Sequence, residues 1–77
     1  MADFFTRVRA FAKQLEDVGL AAWALRLTDA ISSGSTGGEI LMAIRWNLQE
    51  LLRAQSLPTG LVEQAEKFIQ EIGATGV

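Results

Sequence analysis

Few side chains in this 77-residue sequence are equipped for chemistry. Histidine and cysteine are both absent. Their absence removes the commonest general base, the commonest transition-metal ligand, the thiolate nucleophile and any disulfide framework. Carboxylates and lysines remain. Glu63, Glu66 and Glu71 share one stretch, but no histidine stands at metal-ligand spacing beside them. They read as solvated charge, and no metal is placed on them. A carboxylate mechanism would have to use acids such as Glu39 or Glu50, and neither belongs to a recognisable pair. No catalytic residue and no cofactor is therefore assigned, and the chain is read as non-enzymatic.

The loop SSGSTGG at 32–38 invites a phosphate-binding reading, because glycines before a helix N-terminus can make an anion site. A nucleotide loop needs Gly-x-x-x-x-Gly-Lys-Ser/Thr after a strand. Here no lysine follows, a helix precedes, and Glu39 fills the anion position itself. The loop reads as an interhelical hinge with a cap.

The residues suited to binding lie just beyond that hinge. Thr36 and Glu39 have capping-box spacing, so a helix should start sharply at about residue 37 and run to about residue 54. Ile40, Leu41, Ile44, Leu48, Leu51 and Leu52 fall on one face of it. Met42 and Trp46 point the other way, Gln49 and Arg53 continue that second face, and Arg45 borders it. The favoured reading buries Met42 and Trp46 beneath another helix, since a central helix in a small bundle is often covered on two sides. The alternative is a recognition patch, because Trp, Met and Arg are enriched at interface centres. Met42, Arg45, Trp46, Gln49 and Arg53 are the candidate partner-binding residues.

Three more helices must position this one. The first, over about 3–18, has Asp3 as N-cap and Gly19 as stop. Phe4, Val8, Phe11, Ala12 and Leu15 form its inner face, with Phe5 and Val18 at the edges. Its basic residues, Arg7, Arg9 and Lys13, read as solvated charge. The second, over about 20–31, turns Leu20, Trp23, Ala24, Leu27, Ala30 and Ile31 inward, with Trp23 as a core anchor and Arg26 and Asp29 as a weak outer pair. The fourth, over about 58–72, begins at Pro58 and ends at Gly73. Leu61, Ala65, Phe68, Ile69 and Ile72 make its apolar face, and Glu63 and Lys67 are an i,i+4 pair. Residues 73–77 are expected to fray.

These elements amount to a single all-α domain, a small four-helix bundle with a Gly/Ser-rich loop between helices 2 and 3. A hydrophobic content of 49% is high for so short a chain and favours a tight core, self-association or both. No apolar run is long enough for a membrane span, and the N-terminal stretch lacks a secretory pattern, so a cytoplasmic location is expected. Seven basic and nine acidic residues are well mixed, giving net charge −2 without the basic stripe of a nucleic-acid binder.

The run Gly34–Ser35–Thr36–Gly37–Gly38–Glu39–Ile40–Leu41–Met42 with Arg45–Trp46, preceded by Gly19, Trp23 and Leu27, resembles short uncharacterised bacterial all-helical proteins over about residues 15–55. That resemblance brings no activity and no catalytic residues. Small acidic helical chains of this kind look similar to immunity or antitoxin partners. The expected function is thus a protein–protein interaction module, of the immunity-type inhibitor or small-regulator class. The alternative is a helical protein that assembles with itself into a dimer or higher oligomer.

Overall fold

Asp3 starts the first helix. In the computed structural model, which describes residues 3–33 and 36–76, α1 spans Phe4–Asp17. The Thr6 backbone N–H donates to the Asp3 carboxylate at 2.7 Å. That hydrogen bond is the main reason the Asp3 carboxyl sits below its ordinary pKa. Gly19 stops α1 as expected, adopting φ +83°. The Leu20 N–H reaches back to the Leu15 carbonyl at 2.8 Å and the Gly19 N–H to Glu16 at 3.0 Å, the paired bonds of a Schellman ending.

The other helices are α2 (Ala21–Ser33), α3 (Gly37–Ala54) and α4 (Thr59–Ala74). Thr36 caps α3 by accepting from the Glu39 N–H at 3.2 Å. The hinge expected over 32–38 is shorter than that: Ser32 and Ser33 belong to α2 and Gly37 and Gly38 to α3, while Gly34 and Ser35 lie outside the described residues. Pro58 occupies the N-cap of α4. Gly73 does not end that helix. It lies within α4, and the turn comes at Gly76 (φ +82°), with the Thr75 hydroxyl donating to the Ile72 carbonyl at 2.6 Å. The segment 74–76 expected to fray is thus partly helix and partly cap.

No strand occurs among the described residues. Packing runs α1 on α2, α2 on α3 and α3 on α4, and α4 returns to α1, while no diagonal pair approaches as closely. The radius of gyration, 11.5 Å, equals the roughly 11.5 Å expected of a compact chain of this length. Val8, Phe11 and Leu15 meet Leu27, Ile44, Leu48, Leu51, Ala65 and Ile72 in one core, with no buried polar or charged side chain among the described residues.

The α1–α4 seam carries side-chain chemistry that the local charge pattern does not reveal. Arg7, expected to be solvated, is half-buried and makes a two-bond fork to Glu71, at 2.7 and 3.0 Å. Glu71 is likewise a structural partner. The Arg7 guanidinium also lies 5.6 Å from the Phe4 ring centre and 5.8 Å from that of Phe68. Phe68 meets Phe4 and Phe11 edge-on at 5.6 and 5.7 Å. Two turns along α1, Gln14 and Gln64 exchange side-chain hydrogen bonds at 3.1 Å. Positions rise on α1 as they fall on α4, so the two helices are antiparallel.

The Arg7 hydrogen bonds, more than any other influence, hold the Glu71 carboxyl below its ordinary pKa. Its stabilisation is therefore complete above the unfolded glutamate value, about 4.3, and is lost as pH falls through the lower folded value. Melting followed by circular dichroism should show Glu71→Gln below wild type at pH 7, with the gap closing as the pH drops below about 4. Glycine substitutions should split in sign. Gly19→Ala forces a side chain into positive φ and should destabilise by about 1 kcal/mol. Gly73→Ala, in helix with open space around its Cβ position, should stabilise by about 0.5–1 kcal/mol in denaturant titration.

Candidate binding face on the third helix

Helix α3 has two unlike faces. Ile44, Leu48 and Leu51 are buried, and its neighbours α2 and α4 take up that side. Roughly 100° per residue carries Met42 and Trp46 to the opposite side. They are 61% and 58% exposed, among the few large apolar side chains left in solvent. The favoured expectation that another helix covers them is therefore corrected: the four helices close their ring on the Ile44 side and leave none for this one.

Met42, Arg45, Trp46 and Gln49 come together as expected, lining a shallow depression of about 230 Å³. Arg53 is not part of its wall. It lies one turn beyond Gln49, its side chain 73% exposed, and pairs with Glu50 at 3.2 Å. Asn47 folds back onto its own helix, donating to the Ala43 carbonyl at 2.9 Å. The face thus combines a flexible thioether, an indole and polar or cationic neighbours, which suits apolar anchoring with a charged rim. It offers no base and nucleophile in contact.

The other tryptophan behaves differently. Trp23, expected as a core anchor, is only partly buried at the edge of the core. The Arg26 guanidinium covers its ring at 4.4 Å instead of pairing with Asp29, a cation–π contact. Glu63 and Lys67 form no ion pair within 4 Å.

A second depression, about 300 Å³, lies between α1, α3 and α4 and is lined by Phe4, Phe5, Leu41, Glu71, Ile72 and Thr75. In the sequence its walls show only as separate apolar helix faces bearing Phe4, Leu41 and Ile72, with Phe5 at an edge, and nothing local brings them together. The Glu71 carboxylate in its wall is already engaged by Arg7, so the depression presents apolar wall without a reactive group. Among the described residues no cluster of three or more acids, histidines or cysteines could hold a metal. No helix among them is long and apolar enough to cross a membrane.

The contrast between the tryptophans is measurable by fluorescence in dilute solution. Trp23→Phe, which keeps Trp46, should emit at the wavelength of a water-exposed indole and be quenched strongly by acrylamide. Trp46→Phe, which keeps Trp23, should emit further to the blue and be quenched less.

No family model, no curated protein and no solved structure matches this chain. Its function must be read from its own surface.

Proposed function

We propose that the protein is a non-enzymatic protein–protein interaction module that binds through the outer face of α3. The observation that carries this reading is the exposure of Met42 and Trp46 side by side on a helix whose other face is fully used in the core. An isolated exposed apolar residue needs no explanation. A tryptophan and a methionine one turn apart, bordered by Arg45 and Arg53, match the composition of an interface centre. In this reading Trp46 is the anchor, Met42 the adaptable neighbour, and the arginines meet carboxylates on the partner. An immunity- or antitoxin-type inhibitor, or a small regulator, would work in this way, as a compact helical body presenting one rigid face. The cytoplasm is the proposed compartment.

The alternative reading, assembly of the chain with itself, uses the same face and is favoured by the ordering of charge along it. Both are tested by placing a photo-reactive residue at position 42 in cells, with position 66 on the exposed surface of α4 as control. The proposal expects a discrete adduct from position 42 and none from position 66. Adding Trp46→Ala should remove most of the adduct, since losing a true anchor costs roughly 2 kcal/mol or more. Equal labelling from both positions, or none from position 42, contradicts the reading.

A further inference from the structure

The outer stripe of α3 has a direction. Glu39, Met42, Trp46, Gln49 and Arg53 follow one another at alternating steps of three and four, the spacing of a coiled-coil seam. An acid stands at the N-terminal end, apolar side chains in the middle and a base at the C-terminal end. Glu39, Met42, Trp46 and Arg53 are exposed and Gln49 is partly so. Trp46 also sits at the middle of the 18-residue helix.

From this arrangement we infer that the occupant of the face is a second copy of the chain, its α3 lying antiparallel across a two-fold axis at Trp46. The inference rests on the reading of this face as an interaction surface and names the partner. An axis at Trp46 overlaps the two helices over nearly their whole length. It sets Trp46 against Trp46, Met42 opposite Glu50 and beside its neighbour Gln49, and Glu39 against Arg53 at both ends of the seam.

Self-complementarity of this kind is what a two-fold interface requires, because each contact occurs twice with the roles exchanged. Charge selects the direction. A parallel pair would set Glu39 against Glu39 and Arg53 against Arg53, two like-charge contacts where the antiparallel pair has two attractive ones. Glu39 and Arg53 are about 21 Å apart along the helix at 1.5 Å per residue, so the charges flank the apolar centre without entering it. Such rim pairs set register and orientation, and Trp46 supplies most of the affinity. Arg53 is already paired with Glu50 and Glu39 is also engaged within the chain; neither conflicts, because a guanidinium has five N–H donors and a carboxylate about four lone-pair sites, so each can serve a second partner. A net charge of only −2 opposes pairing weakly. One helix seam is less than a standard-size interface, so the dimer should be reversible and of micromolar class.

The test begins with the unaltered chain. Sedimentation equilibrium from about 1 μM to about 1 mM should show the mass rising from 8.4 kDa towards that of two copies. Trp46→Ala should weaken self-association about 30-fold or more. A monomer throughout overturns the inference. Orientation is then read by a short thiol–thiol crosslinker, which acts cleanly because the natural chain has no cysteine. A mixture of Glu39→Cys and Arg53→Cys chains should crosslink at least several-fold more than either variant alone. Stronger crosslinking of each variant with itself would contradict the antiparallel register. The mass of the position-42 adduct separates this inference from the reading beneath it. Twice the chain mass supports self-pairing. A monomeric chain with an adduct of another mass overturns self-pairing while keeping the interaction reading, and no adduct removes both.

Discussion

The closure of α4 onto α1 is the constraint on which the rest of the structure depends. Short connections keep α1 beside α2, α2 beside α3 and α3 beside α4, but nothing local brings the last helix to the first. Arg7 and Glu71 are 64 residues apart in sequence, and closing a long loop has an entropic cost that only contacts across the seam can offset. Phe68 stands at the centre of that return. It is buried, touches Phe4 and Phe11 edge-on, and lies under the Arg7 guanidinium. Truncating a buried phenylalanine costs about 3–5 kcal/mol, a large part of the roughly 4–12 kcal/mol expected for a chain of this size. The forked ion pair adds less energy because solvent reaches it. Its rigid geometry fixes which turn of α4 lies against which turn of α1.

That closure decides what α3 can do. Once α1 and α4 meet, the core is complete on the Ile44–Leu48–Leu51 side of α3, and no further helix can reach its back. Met42 and Trp46 therefore stay in water. Their apolar area contributes nothing to the folding of the monomer and would be removed from water only by a partner. The protein-binding proposal and the self-pairing inference are both accounts of what covers it, and they differ only in the identity of the occupant.

Much of the fold could be read from periodicity. The inner faces of all four helices, the Asp3 and Thr36 caps and the Gly19 stop follow from local spacing and local backbone chemistry, which is why a single sequence shows them. Arg7 with Glu71 and Gln14 with Gln64 could not be read in that way. Each partner taken alone is an ordinary surface residue, and only tertiary register brings them together. Gly73 misled because glycine stops a helix only where the backbone needs positive φ, and that place is Gly76. Trp23 looked like core by its position on the face, yet a large ring at the end of a short helix can lie at the edge and be covered by Arg26. For Met42 and Trp46 periodicity gave the direction of the side chains, while coverage depended on how the ring closes.

The central claim is that the outer face of α3 contributes binding and little folding. The most direct measurement is the denaturant-unfolding free energy of a Met42→Ser/Trp46→Ser double variant, compared with wild type at a dilution where both are monomeric. The account predicts equal m-values and a difference within about 1 kcal/mol, as for exposed sites. A loss of about 3 kcal/mol or more, the cost of emptying a core position, would place these side chains inside the fold and contradict it.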